Sequence, residues 1–132
     1  VVSALAVLAQ KYQYNLQDKT VSIVGAGNTG SRLSERLTAL GVTHMLCDPL
    51  LEHDGDSRTF VSLEHALKAD IISLHVPLTR QGEHKTYHLI NADVLACLKP
   101  EQILINACRG EVIDNCALLK LKQQGPVIGK EN

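Results

Sequence analysis

Charge of one sign is what this sequence most lacks. The 13 lysines and arginines stand against 14 acidic side chains, a formal net charge of −1 at pH 7. Such a balance leaves no basic surface for nucleic acid or an anionic membrane, so neither partner is expected. Long apolar runs are also missing. The longest, Val1 to Ala9, is too short to span a bilayer and follows no basic leader, so neither an anchor nor a signal peptide is expected. No two of the cysteines, Cys47, Cys97, Cys108 and Cys116, have C-x-x-C spacing, which argues against zinc or dithiol redox chemistry. Buried, reduced thiols in a cytoplasmic protein and no metal site are the expectation. Neither an internal repeat nor a low-complexity linker breaks the chain.

What is present suits one globular domain. The chain has 132 residues, 45% hydrophobic and 20% charged, enough to bury a core. Val1 to Lys11 reads as a helix without an N-cap and apolar nearly all round, of the kind that packs between domains or subunits. Thr20 to Val24 is a buried strand. Asn28 to Leu40 is a helix with Leu33, Leu37 and Leu40 on one face and Gly41 at its C′ position. His44 to Cys47 is a second strand, and the polar loop Pro49 to Thr59 reads as solvated surface. Ser62 caps a short helix through Lys68. Ile71 to His75 is a third strand, ended by Pro77.

The second half repeats the alternation. Asn91 caps a helix with Ile90 and Leu95 as a hydrophobic staple, and Lys99-Pro100 stops it. Ile103 to Ala107 is a fourth strand. Asp114 caps the next helix, with Ile113 and Leu118 as its staple and Gly125-Pro126 as its stop. Short, continuously apolar strands alternating with helices predict an α/β fold, a doubly wound parallel sheet of the Rossmann type covered on both faces. Residues 1–15 are expected to form an interdomain helix and connection, and residues 16–132 the α/β domain.

Gly25-Ala-Gly27-Asn-Thr-Gly30 fits G-x-G-x-x-G. Ordinary glycine-rich turns share that pattern, but here it follows a strand and opens a helix, the context a dinucleotide site requires. Gly25 permits the tight turn, Gly27 lets backbone approach a pyrophosphate, and Gly30 lets helix and strand pack closely. The amides of Asn28 and Thr29 then meet the anion at a helix N-terminus. Asp48 ends the second strand, roughly 20 residues beyond the glycines, where a carboxylate accepts from both adenine-ribose hydroxyls and repels a 2′-phosphate. A turn-forming Asp before Pro49 is the other account of it. No Arg or Lys lies between Pro49 and Gly55, so NAD rather than NADP is the expected cofactor. Val76 and Pro77, after the third strand, should border it mainly through backbone. His75 beside them invites a role as base, but a packed strand-end histidine is the simpler account.

Arg109, in Asn106-Ala-Cys-Arg109-Gly110, follows the fourth strand at the same edge of the sheet. A guanidinium there can grip a carboxylate through two hydrogen bonds and polarise an adjacent carbonyl. An Arg before Gly is also a common surface-loop residue. Cys108 is not needed as a nucleophile for hydride transfer and reads as a small buried side chain.

Taken together, these residues resemble the D-isomer-specific 2-hydroxyacid dehydrogenases over about residues 16 to 125. The resemblance rests on the Gly25–Gly30 loop, Asp48, His75-Val-Pro77-Leu78, Leu89-Ile-Asn91, Leu98-Lys-Pro100, and Ile105-Asn-Ala-Cys-Arg109-Gly110 with Val112-Ile-Asp114. It implies that Arg109 binds the substrate carboxylate and keto oxygen. Gly27-Asn-Thr-Gly30, Leu46-Cys-Asp-Pro49, the length of Pro77 to Leu89 with Gly82 and Lys85-Thr86, and Cys108 are similar to one branch of that family. That branch uses NAD and a small phosphorylated 2-hydroxy acid, and the resemblance implies a homodimer. It also implies that residues 16–132 are an NAD-binding domain truncated at its C-terminal end, and an acid–base His–Glu pair that no matching motif supplies in this chain, so residues 1–132 alone are expected to be inactive. A relative acting on glycerate or phosphoglycerate, and an NAD-sensing module without turnover, remain open.

Overall fold

In the computed structural model, residues 2–121 are described. Helix α1 spans Val2–Lys11, strand β1 Val21–Val24, helix α2 Asn28–Ala39 and strand β2 His44–Cys47. Helices α3 (Pro49–His53) and α4 (Leu63–Ala66) precede strand β3 (Ile71–Leu74). Helix α5 (Ala92–Cys97), strand β4 (Ile103–Asn106) and helix α6 (Asn115–Leu121) complete the order. The stop expected at Gly125-Pro126 lies outside the described residues.

The strands form one sheet in the order β2-β1-β3-β4. All neighbours are parallel: Val21 pairs with His44 on one side and Ile71 on the other, and Ile71 pairs with Ile103. Side chains alternate between two separate apolar layers. Val21, Ile23, Ile71, Ile103 and Ile105 meet Leu5 and Leu8 of α1 and Leu33 and Leu37 of α2 on one face. Val24, Ile72, Leu74 and Leu104 meet Ala66, Leu95, Val112 and Ile113 on the other. Both faces are covered, which is why the strands carry no polar alternation. After β2 the chain returns across β1 to lay β3 on its other side, so the winding reverses between β1 and β3. Such a reversal opens a crevice at the carboxyl ends of those strands.

The caps stand where the side-chain chemistry predicts. Asn91 accepts from Val94 N–H at 3.0 Å, Ser62 from His65 N–H at 3.2 Å, and Asp114 from Ala117 N–H at 3.2 Å. Both staple pairs, Ile90 with Leu95 and Ile113 with Leu118, lie in one cluster. Gly41 has φ +72° after the last turn of α2, a left-handed conformation that glycine adopts without strain.

Three expectations need correction. Leu40 is 46% exposed rather than part of the buried stripe, because α2 ends before it and the chain turns away at Gly41. The stretch after Asp48 is not simply a solvated loop: its first half is α3, and Leu51 packs against the core. Of the cysteines only Cys47 is buried; Cys97 and Cys116 lie on the outer sides of short helices and are exposed, Cys108 is half-buried, and none forms a disulfide. Burial, together with the neighbouring Asp48 and Glu52 carboxylates, pushes the Cys47 thiol up to about 11, so it stays protonated at neutral pH. Among the described residues no helix is long and apolar enough to cross a membrane, and no group of His, Cys, Asp and Glu could hold a metal ion.

Candidate dinucleotide site

The crevice between β1 and β3 holds a cavity of about 520 Å³. Gly25, Gly27, Asp48, Val76 and Pro77 line it, with the apolar side chains of Leu50, Leu51, Leu63 and Leu89 among its walls. Most of the candidate binding residues therefore converge on one space, as the sheet topology requires.

Two of the loop's three glycines have a distinct steric reason. Gly25 takes φ +97°, and a Cβ there would sit 2.5 Å from the carbonyl oxygen of His75. It is the point where the turn after β1 slides under the end of β3. A Cβ on Gly30 would land on the carbonyl oxygen of Gly25 and press on Ile23, so helix α2 could not lie so close to β1. Gly27 differs: a Cβ there would meet nothing within 4 Å. Among the described residues no contact demands a glycine at that position. Open space surrounds it, beside the cavity that Gly27 lines, and Gly27, Asn28 and Thr29 are all exposed at the start of α2. The loop thus fits a pyrophosphate.

Asp48 does two things at once. Its Oδ1 accepts from Leu51 N–H at 3.1 Å and caps α3; its Oδ2 accepts from Ala26 N–H at 2.9 Å, tying the end of β2 to the glycine loop. The turn-forming role and a ligand role are compatible, since each carboxylate oxygen has a second lone pair for a ribose hydroxyl. His75 is buried with Nε2 2.7 Å from Ser73 Oγ, a packed side chain at the cavity wall.

Arg109 lies one strand further along the same edge. Asn106 shapes the turn that presents it: its Oδ1 accepts from Cys108 N–H at 3.0 Å and its Nδ2 donates to Arg109 O at 3.1 Å. The guanidinium is 65% exposed, its one described partner being Glu111 Oε2 at 3.3 Å. It does not line the cavity. Such a cation is available to a carboxylate lying beside the sheet's carboxyl edge.

Sequence reasoning missed three parts of the site. The loop Thr79 to Thr86 walls the cavity with Glu83, His84 and Lys85. Hydrogen bonds across its neck hold it, from Thr79 N–H to Thr86 Oγ1 at 2.8 Å and from Thr86 N–H to Thr79 Oγ1 at 3.0 Å. Helix α3 did have a signal, Asp48 followed by Pro49, an N-cap with proline at the first helical position. Arg58, which reaches back to the glycine loop, had none.

A family model for the NAD-binding domain of D-isomer specific 2-hydroxyacid dehydrogenases matches residues 6–130. Among curated proteins, the erythronate-4-phosphate dehydrogenase of Tolumonas auensis is 53% identical over 124 residues, which is 94% of this chain and 33% of that protein. The chain thus spans about a third of the length of such relatives. Among solved structures, the NAD-dependent formate dehydrogenase of Staphylococcus aureus in complex with NAD superposes with a TM-score of 0.75 at 32% identity, over 93% of this chain and 37% of that one. The NAD-complexed D-isomer specific 2-hydroxyacid dehydrogenase of Lactobacillus delbrueckii ssp. bulgaricus gives 0.71 at 33% identity, over 89% and 35%. The chain belongs to the D-isomer specific 2-hydroxyacid dehydrogenase family, as its NAD-binding domain.

Proposed function

We propose that this chain is the NAD-binding part of an enzyme that oxidises 4-phospho-D-erythronate to 2-oxo-3-hydroxy-4-phosphobutanoate, a step of pyridoxine biosynthesis. The observation that carries this reading is the identity above one half, over nearly the whole chain, to proteins named erythronate-4-phosphate dehydrogenase. The cavity is consistent with it. The N–H groups of Gly27, Asn28 and Thr29 hold the pyrophosphate, with Gly25 and Gly30 giving the loop its shape. Asp48 accepts from the adenine ribose, and Val76 and Pro77 border the cofactor through backbone. When bound, NAD supplies a hydride acceptor, its nicotinamide ring.

Arg109 holds the substrate carboxylate and orients the carbon that loses hydride. Its positive charge also stabilises negative charge building on the neighbouring oxygen as the carbonyl forms. A His–Glu pair elsewhere in the enzyme takes the hydroxyl proton. On this reading the enzyme is a cytoplasmic homodimer. Sedimentation of the intact protein checks the dimer, and a monomer at high concentration would count against it.

The deciding experiment is initial-rate NADH formation by the intact protein with 4-phospho-D-erythronate, D-glycerate and 3-phospho-D-glycerate. The phosphorylated four-carbon acid is expected to give the highest kcat/KM. Preference for either three-carbon acid would move the enzyme to another branch of the family. Tight NAD binding without turnover of any acid would make it a sensor.

A further inference from the structure

Ala26, between the first two loop glycines, is held on both sides. Its N–H donates to Asp48 Oδ2, while its carbonyl accepts from Ser31 Oγ at 2.8 Å and from Arg58 Nη2 at 3.0 Å. Arg58 comes from beyond α3, and its Nη1 also donates to Ser31 Oγ at 2.8 Å. The guanidinium is in turn fixed by Asp56: Nε donates to Oδ1 at 2.9 Å and Nη2 to Oδ2 at 2.8 Å, and the group lies 5.6 Å over the Phe60 ring. A planar fork braced this way is preorganised, and swinging it would break several charge-assisted bonds.

The geometry has a consequence for the next peptide N–H. In a trans peptide the carbonyl and the following N–H point in opposite directions. Holding the Ala26 carbonyl toward Arg58 and Ser31 therefore turns the Gly27 N–H the other way. Gly27 is exposed, borders the cavity and has open space around its Cα. We propose that Arg58, anchored by Asp56, is a positioning residue for the dinucleotide pyrophosphate. It acts through the Ala26 carbonyl, orienting the Gly27 N–H before the ligand arrives. The side chain need not touch the phosphates; it lowers the cost of ordering the loop that does. This rests on the reading that the loop binds NAD.

The test is calorimetric titration of the intact wild-type protein, Arg58→Met, Arg58→Lys and Asp56→Asn with two probes, NAD and adenosine. Adenosine shares the ribose and base but has no pyrophosphate. Arg58→Met is expected to weaken NAD about tenfold while leaving adenosine within about twofold. Arg58→Lys, which can reach the carbonyl but lacks the fork, should fall between wild type and Arg58→Met. Asp56→Asn should shift NAD in the same direction. Should Arg58→Met not fold, the lysine and asparagine variants carry the same comparison. Wild-type NAD affinity in the variants, or equal weakening of NAD and adenosine, would overturn the proposal and make Arg58 a support of the fold only. A wild-type protein that binds no NAD would instead overturn the parent reading, and this proposal with it.

Discussion

At the scale of single residues, Asp48 and Arg109 are the proposed contacts to cofactor and to substrate. Asp48 is tied to the loop and caps α3, so its removal has two effects. Asp48→Ala is expected to weaken NAD by about 1–3 kcal/mol through a lost charge-assisted hydrogen bond. It should also lower stability by about 1 kcal/mol through the lost cap. Titrating NAD and NADP on both proteins, alongside denaturant unfolding, measures each effect. NADP binding as tight as NAD to the wild type would show that the carboxylate does not face the ribose. Among the described residues Arg109 does not line the cavity and pairs with Glu111 at the surface. In the intact enzyme, Arg109→Ala is therefore expected to lower kcat/KM by on the order of a hundredfold, about 3 kcal/mol, and to leave NAD affinity nearly unchanged. Steady-state kinetics with a parallel NAD titration separates the two. Collapse of NAD binding along with activity would make Arg109 a structural residue.

Among the elements, the short helices depend on their caps more than on their length. Helix α5 has only 6 residues, too few to persist without tertiary contacts and a satisfied N-terminus. Asn91→Ala removes the acceptor for Val94 N–H and should cost about 1 kcal/mol, read as a lower urea midpoint with an unchanged slope. Asn91→Ser, which can still cap, should restore most of it. Strand and cap positions were legible in the sequence because they follow from local chemistry: apolar runs between turns, and Asn, Ser or Asp placed just before a helix. Helix α3 carried the same signal at Asp48-Pro49, but its short, mixed sequence has too little periodicity to declare itself. The end of α2 was misjudged at Leu40 because an α-helical repeat does not reveal where neighbouring structure stops covering the stripe.

For the molecule as a whole, acid should loosen the site's own bracing. The Arg58 hydrogen bonds hold the Asp56 carboxyl down at about 2, against an ordinary value of 3.8. Asp56 therefore contributes stability that is complete above about pH 4 and is lost as pH falls through about 2. Asp56→Asn should flatten the stability profile in that window and leave its shape at neutral pH unchanged. Chemical denaturation across the acid range checks the sign, and an unaltered acid limb would refute the coupling. The pair is partly exposed, so raising the salt concentration should shrink the effect.

The sequence by itself determined the parallel α/β order, the glycine loop, its acidic partner and the arginine at the fourth strand's end. Each is a local pattern whose chemistry needs few neighbours: apolar runs too short for anything but buried strands, glycines where backbone must turn or approach, a carboxylate after a strand. Only the tertiary structure decided that Asp48 caps a helix while gripping Ala26, that the loop 79–86 walls the cavity, and that Arg58 braces the glycine turn from 32 residues away. The Asp48–Ala26 and Arg58–Ala26 contacts join segments distant along the chain. They exist because the parallel sheet lays β2 beside β1 and brings the ends of separate strands to one edge.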